Sequence, residues 1–338
     1  MLPRKEGRES MNKPEALSSV VFDHPASVMR SRSGVTLVEL LVVIAVAAIL
    51  IALTSIAVQS TRESARRMEC QNRLRQLAIA SSHFVATHRH FPSNGWGFHW
   101  VGQLDRGVGP SQPGGWAFQM LPFVEISLEK DDGQNADMVR AGWTKLSFSA
   151  FRCPSRPAGD WGPHSQVFQP INTTPLTEIA RTDFAICEGD FITQTMRGPR
   201  SISEGDSKTY HWTDVSRATG VSFQRSAVRP SQVVDGLSST YLIGEKHVSN
   251  EHYFDGKDLG YDQSLLSGVD LDLNRWVISP PARDDTAGVG RTFGSSHSKG
   301  CNISQCDGSV RLISYGIDGI THARLGNRQD GKSVSLPK

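Results

Sequence analysis

The sequence predicts an α+β protein in which a long N-terminal helix precedes a β-rich globular domain with long loops. From Val35 to Phe91 there is neither glycine nor proline, so nothing in the backbone interrupts a helix over residues 35–91. Beyond Pro92 the composition changes to glycine, proline, tryptophan and serine with short apolar runs, which is typical of strands joined by turns. We expect short strands at 148–154, 182–187, 221–223 and 240–245. We therefore expect a globular domain over residues 92–326 and a polar, fraying tail over residues 327–338.

The first part of the helix is apolar enough to enter a membrane. Between Val35 and Val58 the only ionisable residue is Glu39. At about 1.5 Å per residue these 24 positions span roughly 36 Å, and the hydrocarbon core of a bilayer is about 30 Å thick. The sequence therefore predicts a transmembrane segment over residues 35–58.

The second part of the helix is amphipathic. Apolar residues recur at roughly helical spacing among arginines, and we expect this stripe to pack on the globular domain. Packing against neighbouring subunits is the alternative. The stripe consists of Leu74, Leu77, Ala78, Phe84 and Val85.

The start of the helix resembles the processing segment of type IV pilins and type II secretion pseudopilins. A basic leader ends in Gly34, the apolar Val35 follows, and Glu39 is the fifth residue after the glycine. Phenylalanine is the usual residue after the glycine, so Val35 departs from the pattern. The resemblance implies that residues 1–34 are a leader, removed by a prepilin peptidase that also methylates the new amine of Val35. A carboxylate within a membrane helix needs a partner, and that amine, on the same or a neighbouring subunit, is the natural one.

Downstream segments resemble a second family, the DUF1559 proteins known best from Planctomycetes. That family joins a prepilin-type N-terminus to a domain of unknown function that ends in an H-X9-DG motif. Here His297 precedes Asp307-Gly308 by nine residues. Other matching segments are 65–77, His90-Phe-Pro92, Phe151-Arg-Cys-Pro-Ser155, Thr182-Asp-Phe-Ala185, 234–240 and Gly244-Glu-Lys246. The resemblance covers about residues 34–320 and implies a pilin-like fold.

The H-X9-DG segment predicts a β-hairpin. Two apolar runs flank Asp307-Gly308, a favoured two-residue turn. We expect Gly308 to supply the turn, Asp307 to cap it, and His297 to form a hydrogen bond across the loop that enters the hairpin. A ligand or metal role for His297 is the alternative.

Acidic residues suggest a second candidate site. Asp270, Asp272 and Asn274 offer oxygen ligands at short spacing, near Asp255, Asp258, Asp262 and Asp284-Asp285. Hard oxygen ligands suit calcium, although the run lacks the glycine and the final glutamate of an EF-hand loop. Solvated loop carboxylates are the alternative, in which case the protein has no cofactor.

The cysteines permit a disulfide, because an exported domain lies in an oxidising compartment. Cys301 and Cys306 fall on opposite faces of one expected strand, which argues against a bond between them. We therefore predict that Cys187 pairs with Cys301 or with Cys306. CxxC spacing, which zinc sites commonly use, is absent from the sequence.

Composition excludes an obvious nucleic-acid binder, because 36 basic residues balance 34 acidic ones and no basic-aromatic cluster occurs. The sequence has no glycine-framed serine nucleophile, phosphate loop or HExxH helix, so we do not expect an enzyme. The leading hypothesis is a minor pilin or pseudopilin-like subunit, anchored in the bacterial inner membrane with its C-terminal domain outside the cytoplasm. Its partners would be the prepilin peptidase, the lipid bilayer and other pilin-like subunits, in a type IV filament or a type II secretion system. The alternative is a membrane-tethered module that binds a glycan, a peptide or calcium.

Overall fold

The computed structural model describes residues 34–194, 196–286, 290–332 and 334, without the side chain of Ile56. Of the predicted leader it describes only Gly34, and residues 333 and 335–338 of the predicted tail also lie outside the described residues. The described chain divides into two compact units, one ending at Ile56 and one starting at Ala57.

Helix α1 is a single long helix, Leu37–His88, which contributes residues to both units. It ends three residues before the predicted end at Phe91, because Arg89 adopts a left-handed backbone conformation with φ 65°. Among the described residues, α1 is the one helix long and apolar enough to cross a membrane, and none of its most apolar window is buried.

The apolar stripe of α1 packs as predicted on the globular domain. Leu74, Leu77, Ala78 and Phe84 are fully buried, and Leu74 and Leu77 join the main hydrophobic core. This core stabilises the position of α1 from Cys70 onward, where burial begins.

The centre of the domain is a five-stranded mixed sheet with the strand order β5-β3-β4-β8-β9. Neighbouring strands are antiparallel except β3 and β5, which run parallel. The five strands are β3 (Phe184–Gly189), β4 (Tyr241–Glu245), β5 (Asn274–Trp276), β8 (Cys301–Gln305) and β9 (Val310–Ile313).

Within the described residues, two small two-stranded sheets, four short α-helices and several 3-10 turns surround the central sheet. The small sheets pair β1 (Trp161–Pro163) with β2 (Glu178–Ala180), and β6 (Ala282–Arg283) with β7 (Gly294–Ser295). The helices are α2 (Trp116–Met120), α3 (Ala136–Trp143), α4 (Ile202–Asp206) and α5 (Gly319–Gly326).

The central sheet buries both of its faces. Ile186 packs in the core that contains the α1 stripe and α2, whereas its neighbour Cys187 packs in a second core with Leu325 of α5. Alternate residues of a strand point to opposite faces, so the strand separates these two cores. The long apolar helix followed by a sheet-rich domain confirms the α+β prediction.

The strand predictions have a mixed outcome. Strands expected at 182–187 and 240–245 correspond to β3 and β4, and the hairpin around Asp307-Gly308 is formed by β8 and β9. Strands expected at 148–154 and 221–223 are wrong. The first is instead a 3-10 turn at Ser149–Phe151, after which the Cys153 amide donates to the side chain of Asp183 rather than to a sheet.

The prediction of a fraying tail is wrong for its first six residues. The Arg328 amide donates to Thr219, and the Arg328 guanidinium donates to the carbonyls of Ala218 and Gly220. The amides of Asp330 and Gly331 donate to the carboxylate of Asp235. Polar composition alone predicts fraying, but these long-range hydrogen bonds hold residues 327–332 on the domain.

Candidate functional site

The buried imidazole of His297 joins α1 to β4. His297 lies in the loop between β7 and β8, and its Nδ1 is 2.7 Å from Oε1 of Glu63 on α1. Its Nε2 is 3.2 Å from Oε1 of Glu245, the last residue of β4. A histidine with a carboxylate at each ring nitrogen is best satisfied as an imidazolium, because both nitrogens then donate.

The two carboxylates determine how His297 titrates. Burial by itself lowers the pKa of His297, but the hydrogen bonds and charges of Glu245 and Glu63 outweigh burial and raise the pKa. The pKa of Glu63 is lowered in turn, because the hydrogen bonds and charges of His297 and Arg66 outweigh the opposing effect of burial. The contact is therefore a partly buried ion pair between the loop and the helix.

A disulfide lies beside this ion pair. Cys70 of α1 is bonded to Cys153, and Cys153 Sγ is 3.6 Å from His297 Nε2 and 3.4 Å from Glu245 Oε1. These four side chains place one ligand atom each within 4.8 Å of one another. A cysteine binds a metal ion as a thiolate, and the two sulfurs of a disulfide cannot form thiolates. With Cys70 bonded to Cys153, the four side chains therefore form a disulfide next to an ion pair.

The prediction for His297 is therefore wrong in its partners. Asp307 caps the hairpin turn as expected, since its Oδ1 accepts from the amide and hydroxyl of Ser309, and Gly308 adopts φ 90°. His297, however, bonds to α1 and β4 instead of across the loop. The entry to the hairpin is held by Tyr315, whose hydroxyl donates to the His297 carbonyl at 2.6 Å.

A second buried ionic group lies next to the disulfide. Asp183, the residue before β3, is completely buried and accepts from Arg152, Arg156 and the Tyr261 hydroxyl at 3.2, 2.8 and 2.7 Å. Its other carboxylate oxygen accepts from the Cys153 amide at 2.7 Å. Burial raises the pKa of Asp183, but the two arginines outweigh it and lower the pKa to about 2.

Arg156 extends the group to the loop after β6. Its guanidinium donates to Asp284 at 2.9 Å and to the Lys246 carbonyl at 2.7 Å, and Tyr253 donates to the same carboxylate. Several of the segments that carry the family resemblance thus converge, since 151–155, 182–185, 244–246 and His297 all meet here. Sequence reasoning missed these pairings, because each joins residues far apart in the chain.

The predicted cysteine pairing is wrong. The structure bonds Cys70 to Cys153, whereas Cys187, Cys301 and Cys306 are buried free thiols. Strand β4 lies between β3 and β8, so Cys187 and Cys301 are two strand spacings apart, roughly 9–10 Å, beyond the reach of a disulfide. Cys306 packs in the core that contains the α1 stripe, whereas Cys187 packs in the second core, on the other face of the sheet. The spacing of Cys70 with Leu74 and Leu77 places all three on one face of α1, a signal that could have indicated Cys70.

The structure brings two of the predicted oxygen ligands together and adds a third aspartate. Asp270 and Asp272 lie with Asp262, and one oxygen from each falls within 4.8 Å of the others. Asn274, the first residue of β5, stays close to Asp270 through the backbone, because its amide donates to the Asp270 carbonyl at 3.0 Å. The Asn274 Nδ2 donates to Glu188 at 2.6 Å.

Two of these carboxylates line a cavity of about 480 Å³. Its walls are largely apolar, and the rings of Phe98 and Phe168 meet edge to face with centroids 5.4 Å apart. Burial and the charge of Asp272 raise the pKa of Asp262 to about 8 and also raise that of Asp270. Further lining residues are Ile192, Met196, Leu259, Leu271, Trp276 and Arg291.

The structure assigns Glu39 a local role that sequence reasoning missed. Its Oε2 accepts from both the amide and the hydroxyl of Thr36 at 2.8 Å, and the Glu39 amide donates to the Thr36 hydroxyl at 3.2 Å. This reciprocal arrangement is a capping box, which the Thr-x-x-Glu spacing could have predicted. Gly34 and Val35 precede the helix in extended or irregular backbone.

Comparison with known protein families gives two matches. Residues 29–55 match the prokaryotic N-terminal methylation motif, and residues 59–319 match the family described as protein of unknown function, DUF1559. No curated protein and no solved structure matches the chain. The motif is that of a pilin-like, membrane-anchored protein processed by prepilin peptidase. With more than half of its residues matched, the chain belongs to the DUF1559 family.

Proposed function

We propose that the protein is a minor pilin or pseudopilin-like structural subunit of a type IV filament or a type II secretion system. Prepilin peptidase cleaves after Gly34, and residues 1–34 are the leader. The new N-terminus at Val35 is methylated. The segment 35–58 then crosses the bacterial inner membrane once, with residues 92–326 outside the cytoplasm, until the subunit is extracted.

The observation that carries this proposal is the unburied apolar surface of the first part of α1. Leu37, Ile44 and Ile51 are 78%, 59% and 68% exposed, and their apolar neighbours are comparably exposed. A continuous apolar surface of this kind requires a bilayer or the apolar helices of other subunits. Both environments belong to the proposed life cycle of the subunit.

Glu39 allows assembly to be separated from simple anchoring. In the structure its carboxylate caps α1 through Thr36, and an uncharged glutamine can form the same cap. In the proposed filament the negative charge of Glu39 pairs with the methylated amine of Val35 on a neighbouring subunit. The cap needs only an oxygen acceptor, whereas recruitment of the amine needs the charge.

The experiment compares Glu39→Gln with Thr36→Val in cells that produce the full chain. Intact-mass and N-terminal analysis is carried out on membrane and sheared-surface fractions. We expect both variants to be cleaved at Val35 and to remain in membranes. Only Glu39→Gln should be lost from the sheared material, because Thr36→Val retains the charge.

Two outcomes would overturn the proposal. If Glu39→Gln is as abundant in sheared material as the unaltered protein, the charge does not recruit subunits. If the unaltered protein is cleaved at Val35 but occurs only in membranes, it does not assemble. The second outcome favours the alternative of a tethered extracytoplasmic binding module.

The cavity lined by Asp262, Asp270 and aromatic residues is the observation that favours this alternative. At about 480 Å³ it lies within the range of small-molecule sites. Its apolar walls with a few convergent polar groups suit a small solute. In this case the prepilin segment would act as the anchor.

A further inference from the structure

We infer that Asp262, Asp270 and Asp272 bind one divalent metal ion, with calcium as the expected ion, at the inner end of the cavity. This site is independent of filament assembly, because all three residues belong to the globular domain. It adds Asp262 to the predicted ligands Asp270 and Asp272.

The geometry suits a hard cation. One carboxylate oxygen of each residue lies within 4.8 Å of the other two. Calcium holds its oxygen ligands at about 2.3–2.6 Å, so two ligands of one ion are separated by up to about 5 Å. The three oxygens can therefore contact a common ion, with water from the cavity in the remaining positions.

The Asp272 side chain gives independent evidence of a missing ligand. It is completely buried, and neither of its carboxylate oxygens accepts a hydrogen bond from any described residue. Buried polar atoms in folded proteins nearly always have a partner, and a bound ion is one explanation for those that lack one. A cation among the three aspartates would contact one of these oxygens directly.

The carboxylates of the cluster have few direct cationic contacts. Within the described residues, the one ion pair that the cluster forms is between Lys246 Nζ and Asp272 Oδ1 at 3.6 Å. Arg181 and Arg275 contribute positive charge nearby. Their guanidinium groups donate to the backbone carbonyls of Tyr253 and His247. A divalent ion would give Asp262 and Asp270 a direct cationic contact.

The cavity provides the route to this site. Asp262 and Asp270 are 4% and 7% exposed and line its wall, whereas Asp272 is 0% exposed and lies behind them. An ion entering from solvent thus meets two carboxylates first and the most deeply buried one last. The loop amide of Asp272 donates to Asp270 at 3.1 Å, which holds the two residues together before an ion binds.

The test uses the full processed chain in detergent micelles, with equilibrium dialysis against radioactive calcium and a thermal melt. The variants are Asp262→Asn and Asp270→Asn. The matched control is Asp255→Asn, an exposed aspartate of the same region that pairs with His252 and Lys257. Asparagine at position 270 can still accept from the Asp272 amide, so that variant preserves the loop.

We expect one calcium ion per chain and a higher melting temperature in calcium. Each cluster variant should weaken calcium binding about tenfold or more, since affinity follows the number and charge of the ligands. Without calcium, the cluster variants should melt at or above the temperature of the unaltered protein, because they remove like-charge repulsion. Asp255→Asn should bind and melt like the unaltered protein.

The inference is overturned if the folded, unaltered protein binds no calcium at millimolar concentration, which would leave protonated carboxyl groups as the state of the cluster. It is also overturned if Asp255→Asn weakens binding as much as Asp270→Asn. The melt without calcium identifies any variant that loses binding merely because it fails to fold.

Discussion

The disulfide between Cys70 and Cys153 should be a major source of the stability of the globular domain. It joins α1 to the segment before β1 across a sequence separation of 83 residues. In the chain-entropy model, closing a loop of this length stabilises a protein by about 4–5 kcal/mol at 25 °C. The double variant Cys70→Ala/Cys153→Ala should therefore lower the free energy of unfolding by about that amount. Relaxation of the folded structure around the two alanines should make this loss smaller.

The assay is urea unfolding of the processed full chain in detergent, followed by tryptophan fluorescence, with and without reductant. Reductant should lower the urea concentration at the unfolding midpoint of the unaltered protein and leave that of the double variant unchanged. Cys187→Ala serves as the control, because Cys187 is a free thiol and this variant should retain the response to reductant. If the double variant still responds to reductant, or the Cys187 variant does not, the assigned pairing is refuted.

Three further predictions concern the buried ionic groups. Asp183→Asn should lower the free energy of unfolding by about 3–5 kcal/mol in urea unfolding, because it leaves Arg152 and Arg156 without their shared carboxylate. Since the pKa of Asp183 falls from 3.8 to about 2 on folding, its contribution is complete above the unfolded pKa. Acidification from about pH 5 to about pH 1 should remove about 2–3 kcal/mol, and the Asp183→Asn variant should lack this component. His297→Gln and Glu63→Gln should show a coupling of about 1 kcal/mol in a double-mutant cycle. Because the pKa of His297 is raised on folding, its contribution is complete below its unfolded pKa and is lost as the pH rises through the folded pKa.

Matched surface variants separate these effects from general changes in charge. Asp285→Asn removes an exposed partner of Arg283, and Glu69→Gln removes an exposed partner of Arg73 on α1. Each should change the free energy of unfolding by no more than about 1 kcal/mol. Equal losses in Asp285→Asn and Asp183→Asn would contradict the role of the buried network. Zero coupling between His297 and Glu63 would contradict the ion pair.

The predictions that the structure confirms depend on short stretches of sequence. The apolar composition before Val58 indicates a membrane-type helix without reference to any other residue. The spacing of Leu74, Leu77 and Phe84 indicates the buried face of α1, because a helix repeats every 3.6 residues. The Asp307-Gly308 pair indicates the hairpin, since turn geometry is also decided within a few residues.

Pairings between distant residues required the tertiary structure. Glu63 and His297 are 234 positions apart, and no local pattern shows that they share a contact. The same holds for Cys70 and Cys153, which meet only because α1 lies against the segment before β1. Asp262 joins Asp270 and Asp272 because the loop folds back on itself.

By itself, then, the sequence determined the N-terminal processing segment, the two-part helix, the α+β class and the terminal hairpin. Each is a property of contiguous residues, in which backbone propensity, apolar spacing or a motif is sufficient. Only the tertiary structure decided the partners of His297, the disulfide and the membership of the acidic cluster. These depend on which strands lie next to one another and where loops return, and sequence spacing carries no measure of distance in space.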